Sequence, residues 1–534
     1  MLNANIMWCS QFCRKGLFMI VLFPLFFKAF AQSDIPVNPN FTWNGEISLA
    51  IDPLHPNHLV AAWMKLTGLV TVSIVVSYSD NYGTTWSAPV VMPHFSGSFT
   101  SADPTLYATS DGRFYLGYID YNNLTYNAGS VYISSSTNGG TTWSVPIMAI
   151  DISASADKPI DRPWLAVDNS GGSYNGSVYL VTKSIKEATA PHHIWLVKST
   201  DNGNSWSIPV LLDSDLSIGA TSNAMGVPCI TSAGTLFVNY LSYDPAQSYY
   251  VQDVFVKSTD GGQTFSAGVI SDLPVASAIP PSDSLYQYSM HIAANPVQLD
   301  NLVHIFTDRR FGDWDILCNY SLDGGDTWSV PFRINDDPIN NGIGQDMCWG
   351  GFSGNGIYSA IWRDRRNGTS DPASDYRIYG SCSLNGGVSF NPNFPLSMIP
   401  GGLSRPVSGN DFLGTILSDS LVYGVWADKR SGLNQEYFNR YTLPVSSGIS
   451  DPSVQFSKGN HIALLTGKNC VQLNPEILQG KSMYKVVIYD LTGRKVFSIA
   501  NDSRLCPGAM PSGMYIIEVQ VTERIYHQRI LISY

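Results

Sequence analysis

An eight-residue pattern recurs six times along this chain. A chain that repeats one turn at a near-constant spacing folds as an array of like units. One copy reads Ser321-Leu322-Asp323-Gly324-Gly325-Asp326-Thr327-Trp328. The others run Ser79 to Trp86, Ser136 to Trp143, Ser199 to Trp206, Ser258 to Phe265 and Ser383 to Phe390. Their final aromatics lie 57, 63, 59, 63 and 62 residues apart. Each position suits a hairpin turn. The Asp or Asn at the third place accepts bonds from backbone N–H groups, and the Gly at the fifth takes positive φ without a steric penalty. The last aromatic buries a large apolar surface between sheets, and the Ser or Thr before it bonds within the turn. Strand-like runs such as Ile74-Val75-Val76 and Val254-Phe255-Val256 lead into the copies.

Composition agrees with short strands joined by tight turns. Hydrophobic residues make up 44% of 534, enough for a large core, while only 14% are charged and Gly, Tyr and Trp are plentiful. The net charge of −11 excludes nucleic acid as the main partner, since phosphate binding needs clustered Lys and Arg.

The repeats resemble the Asp-box, or bacterial neuraminidase repeat, of sialidases and other secreted propellers, over roughly residues 40 to 442. The resemblance implies an all-β fold, a β-propeller whose boxes join the third and fourth strands of each blade, away from the active site. A second strand-like run precedes each box, from Leu59-Val60-Ala61-Ala62-Trp63 to Ile357-Tyr358-Ser359-Ala360-Ile361-Trp362. A further copy, Leu421 to Trp426, has no box after it. Seven blades are therefore expected, six being the alternative, with the segment Ile35 to Phe41 supplying the last outer strand and closing the ring.

The ends carry different signals. Arg14 and Lys15 precede an apolar stretch from Leu17 to Phe27 and a small-residue site at Ala29-Phe30-Ala31, a signal peptide over residues 1–31. That stretch is shorter than the roughly 20 residues of a spanning helix, which leaves a membrane anchor as the lesser reading. The propeller is assigned to residues 32–445, a linker to 446–458 and a small β-sandwich to 459–534. In the last part, Tyr489 to Arg494, Gly513-Met514-Tyr515 and Arg529 to Ile532 resemble the C-terminal sorting domain of type IX secretion cargo. The resemblance implies the type IX secretion machinery as a partner and a secreted or outer-surface location; an ordinary adhesive domain is the alternative.

Six cysteines follow the signal, without a CxxC pair. Cys470 and Cys506 share the C-terminal part and are a possible disulfide. The nine histidines show no HxH or HExxH grouping, so no metal is expected, nor any cofactor.

Candidate chemistry gathers where second strands end and innermost strands begin. Three units carry Asp308-Arg309-Arg310, Asp364-Arg365-Arg366 and Asp428-Lys429-Arg430 there, and innermost strands start near Glu46, Asp103, Asp161-Arg162, Asp346 and Asp411. Asp308, Arg309, Asp364, Arg365, Asp428 and Arg430 are ligand-binding candidates, because a planar guanidinium grips a carboxylate with two parallel bonds. The competing reading is that each Asp bonds its neighbouring Arg and holds the turn. A sialidase would show Arg-Ile-Pro near its start and a Tyr nucleophile paired with Glu; here Arg162-Pro163-Trp164 is the nearest match. Asp161, Arg162, Glu436 and Tyr437 are the catalytic candidates, although Glu436 and Tyr437, adjacent on a strand, point to opposite faces. Three functions stay open: an extracellular propeller binding glycans or surface ligands at its funnel, a sialidase-like glycoside hydrolase, and a structural or adhesive surface protein.

Overall fold

The computed structural model describes residues 33–443, apart from 41, 69, 187, 189–190, 220–224, 274–288, 372 and 403–412, together with the strands of residues 463–532. The segments expected to be a signal peptide and a linker, together with Asp411 and Cys506, lie outside the described residues. The described chain is all-β, its one helical piece a single 3-10 turn at Ile152–Ala154. No described helix is long and apolar enough to cross a membrane.

Between Ile35 and Thr442 the strands form seven four-stranded antiparallel sheets. Sheet one runs Asn44–Ile51, Leu59–Leu66, Val72–Ser79 and Val90–Val91 from inside out. Sheets two to six repeat that order, starting from Thr100–Ala108, Asp161–Val167, Val227–Ile230, Met290–Ala294 and Gln345–Phe352. Sheet seven starts at Gly414–Leu417 and takes its outer strand from the other end of the chain: Ile35 pairs with Phe438 and Pro36 with Tyr437. Each innermost strand touches the next around a closed circuit, from sheet one through sheet seven and back to sheet one. This is a β-propeller.

The burial pattern follows from that circuit. Every residue of the second strands Val178–Lys183, Leu236–Ser242, Leu302–Asp308 and Tyr358–Asp364 is buried, because neighbouring sheets cover both faces. That is why these strands read as near-continuous apolar runs instead of alternating with period two. Closure is fastened by Asp34, whose carboxylate accepts from the Met398 N–H at 2.9 Å, Asn439 Nδ2 at 2.9 Å and Arg430 Nη1 at 2.5 Å.

The six repeated turns share one hydrogen-bond pattern. The first Ser accepts the N–H of the fifth-place Gly through its hydroxyl, at 2.9 Å for Ser79 and Gly83 and 2.8 Å for Ser321 and Gly325. The third residue accepts the N–H of the seventh, as between Asp323 and Thr327 at 2.9 Å. Gly83 sits at φ +76°, and a Cβ there would fall 2.2 Å from the Phe438 ring, so conformation and packing both demand glycine. The closing aromatics reach the preceding sheet: Trp86 meets Phe438 edge-on at 5.5 Å, and Trp328 meets Phe255 at 6.2 Å. The turns therefore join sheets as well as strands.

The C-terminal residues form two sheets. One has four strands in the order Lys495–Ala500, Tyr484–Asp490, Gly513–Val521 and Arg524–Ile532. The other has three, Ala463–Thr466, Cys470–Leu473 and Arg504–Leu505.

Candidate functional site

The mouth of the propeller, opposite the repeated turns, is shaped by a bulge that four innermost strands share. Pairing skips two residues against one after Gly45, Ala102, Asp161 and Asp346. The first skipped residue takes a left-handed conformation each time: Glu46 at φ 50°, Asp103 at 51°, Arg162 at 48° and Met347 at 53°. Such backbone costs roughly 1–3 kcal/mol per residue and persists where surrounding structure over-determines it. Bulges re-aim side chains at the rims of closed sheets, and these four sit at the rim.

Consecutive bulges are tied together. The Arg162 N–H donates to an Asp103 carboxyl oxygen at 3.1 Å. Asp161 accepts the buried Lys183 Nζ at 2.6 Å. Burial would raise the Asp161 carboxyl, but Lys183, Arg162 and a hydrogen bond with Asp103 outweigh it and hold Asp161 below the ordinary carboxylate range. Sheets two and three thus bring the carboxyl groups of Asp103 and Asp161 together at the mouth.

The register position after the bulge faces the axis. It is Ser48, Thr105, Trp164 and Trp349 in sheets one, two, three and six. Trp164 and Trp349 approach to 4.7 Å between ring centroids, and His291 of sheet five packs on Trp349 at 4.3 Å. Sheets three and six are not neighbours in the circuit, so this contact crosses the central channel. All three rings are half-buried. Desolvation pushes His291 down to about 3, so its imidazole is neutral at physiological pH. The funnel floor is aromatic and uncharged.

The three Asp-x-Arg motifs divide by position. Asp308, Asp364 and Asp428 are fully buried. Each accepts the backbone N–H two residues on, at 2.6, 2.8 and 3.0 Å, and binds the guanidinium of that residue, Arg310, Arg366 or Arg430. Asp364 and Asp428 also accept the indole N–H of Trp362 and Trp426, each at 2.9 Å. These pairs are turn scaffold, and Arg430 bridges Asp428 to Asp34 at the ring closure.

The middle residues differ. Arg365 is fully buried; with Arg363 it clasps the equally buried Asp346, Arg365 Nη1 lying 3.1 Å and Arg363 Nε 2.8 Å from the carboxylate. Arg309 is half-buried and stacks over Trp314 at 5.3 Å. Among the described residues it is the one motif arginine without a carboxylate partner, and its Nε is enclosed without an acceptor.

Glu436 and Tyr437 are not brought together. The ladder through them is regular, Glu436 opposite Ala427 and Tyr437 opposite Trp426, so they face opposite sides. Tyr437 lies under the Arg430 guanidinium at 4.2 Å. Glu436 is buried with neither carboxyl oxygen hydrogen-bonded, and burial, then the charge of Asp428, drives its pKa well above the ordinary value.

Sequence reading missed Asp103 as the acceptor of the Arg162 N–H, Arg363 as a partner of Asp346, and the Trp164–Trp349–His291 floor. The local signals were Asp103-Pro104 and Arg162-Pro163, where proline fills the second bulge place in two sheets.

No protein-family model and no curated protein matches the chain. It is similar to solved structures. The Hadza microbial sialidase Hz136 is 16% identical, over 72% of this chain and 73% of that one, with a TM-score of 0.42. The NanB sialidase from Streptococcus pneumoniae is 14% identical over 78% and 70%, with a TM-score of 0.39. The GH93 α-L-arabinofuranosidase of Fusarium graminearum is 11% identical over 77% and 98%, with a TM-score of 0.44. The likeness assigns no residue and no reaction.

Proposed function

We propose that this chain is an exported, seven-bladed Asp-box propeller that binds acidic glycans at its funnel. The observation that carries the reading is the floor made by Trp164, Trp349 and His291 across the channel. Flat apolar faces ringed by a few polar groups are the usual make-up of a small-molecule site, and pyranose rings stack on such faces through their C–H groups. The rim adds Arg309, which has no carboxylate partner among the described residues and whose planar guanidinium is shaped to grip one from a ligand. An array of acidic and neutral glycans, probed with the purified chain, tests the reading; retention of acidic glycans supports it, and none retained overturns it.

Glycoside hydrolysis is the second reading, favoured by the two carboxyl groups of Asp103 and Asp161 brought together at the mouth. Asp103 would protonate the departing oxygen as the C–O bond breaks and Asp161 would stabilise positive charge at the sugar; water would then add to the anomeric carbon and return a proton to Asp103. Sugar release by the wild type and none by Asp103→Asn would support it.

Export rests on the signal-like first 31 residues and on the C-terminal strands that resemble type IX cargo, proposed to form a small sandwich. Deleting residues from Tyr484 onward in a host with type IX secretion should hold the propeller in the periplasm. Normal appearance of the shortened chain outside the cell would remove the sorting assignment.

A further inference from the structure

We infer that the first turn of sheet one, on the face opposite the funnel, is a binding site for a divalent ion of the zinc class, held by Asp52, His55 and His58. The ligand atoms of these three residues lie within 4.8 Å of one another. His55 Nδ1 is 2.9 Å from the Asp52 carboxylate, and the two imidazoles stack at 5.4 Å between centroids. The sequence carries them as Asp52-x-x-His55-x-x-His58, a spacing outside the HxH and HExxH patterns.

The backbone explains why that spacing works. The His55 N–H donates to Asp52 O at 3.2 Å, the His58 N–H to His55 O at 2.8 Å, and the Asp52 N–H to His58 O at 3.0 Å. Successive three-residue turns bring every third side chain to one side, and Pro53 and Pro56 fix φ between them. Neighbouring elements hold the turn rigid. The Tyr82 N–H donates to Asn57 O at 3.0 Å, Asn57 Nδ2 to Asp80 O at 2.7 Å, and the Tyr423 hydroxyl to Pro56 O at 3.3 Å. The Leu54 N–H takes the second Asp52 oxygen at 2.8 Å, which orients the carboxylate.

The donor set selects the ion. Two imidazoles and one carboxylate suit zinc and its first-row neighbours, whereas calcium and magnesium take oxygen donors almost alone. Zinc takes such ligands in a tetrahedral arrangement at about 2.0–2.2 Å. A fourth position is left for water. Tyr423 belongs to sheet seven and Tyr82 to the first repeated turn, so an ion here braces the seam where the ring closes.

The test uses the full chain after chelator treatment. Titration with Zn2+ by calorimetry, and with Co2+ by visible absorption, should report one site per chain, and Zn2+ should raise the melting temperature. His55→Ala and His58→Ala should each weaken binding at least about tenfold and abolish the rise in melting temperature. His55 is mostly exposed, so His55→Ala keeps the fold and its metal-free melting temperature. Absence of binding by the wild type overturns the site, and so does undiminished, wild-type affinity in both variants.

Discussion

The Arg162 backbone N–H donates to the Asp103 carboxyl group at 3.1 Å, and the two residues hold the same left-handed conformation at the same place in consecutive sheets. One strained position thus stabilises the next. Asp103→Ala leaves the Arg162 N–H without its acceptor and should cost about 1–3 kcal/mol. Asp103→Asn keeps an acceptor oxygen and should cost less. Urea unfolding of the two variants against wild type measures the difference; equal losses would contradict the linkage.

The two middle arginines should behave oppositely. Arg365 is buried against Asp346 together with Arg363, and removing one partner of a buried ion cluster costs about 3–5 kcal/mol. Arg365→Ala should therefore lower the melting temperature sharply. Arg309→Ala breaks no ion pair among the described residues; it should leave the melting temperature close to wild type and weaken retention of acidic glycans. Thermal unfolding and glycan binding on both variants separate the roles.

Glu436 gives a signature in pH. Its ordinary value is 4.5, and burial beside Asp428 raises it well above that in the folded chain. The folded state therefore keeps a proton that the unfolded chain releases. Stability from this group is full below the unfolded value and falls as pH rises toward the folded one. Glu436→Gln mimics the protonated side chain. Its melting temperature should match wild type near about pH 5 and exceed it near about pH 8. An identical pH profile for both proteins would rule out the buried neutral acid.

What the sequence disclosed was whatever is encoded within a few residues. The repeated turns are legible because Asp323, Gly325 and Thr327 act on one another inside one turn. Even there the first Ser went unassigned, although it stands in all six copies and its hydroxyl holds the Gly N–H. The bond of Asp428 to Arg430 spans two residues and was visible as an alternative. The Asp346–Arg363 pair was not, because it depends on which residues of two strands stand opposite, and a bulge resets that register. The Trp164–Trp349 contact joins sheets on opposite sides of a ring, and nothing short of closure reveals it.

The account stands most directly on the funnel floor. Surface-immobilised acidic glycans, probed with wild type and with Trp349→Ala at matched concentrations, give the measurement. Trp349 is half-buried at the channel and rests on the edge of the core between sheets six and seven, so near-wild-type far-ultraviolet dichroism is the control that the variant folds. Removing one stacking ring should weaken binding about tenfold, the equivalent of roughly 1.4 kcal/mol. Acidic glycans held by the wild type and released by the variant are the predicted result. Equal binding by the two proteins, or none by either, would contradict a glycan-binding funnel.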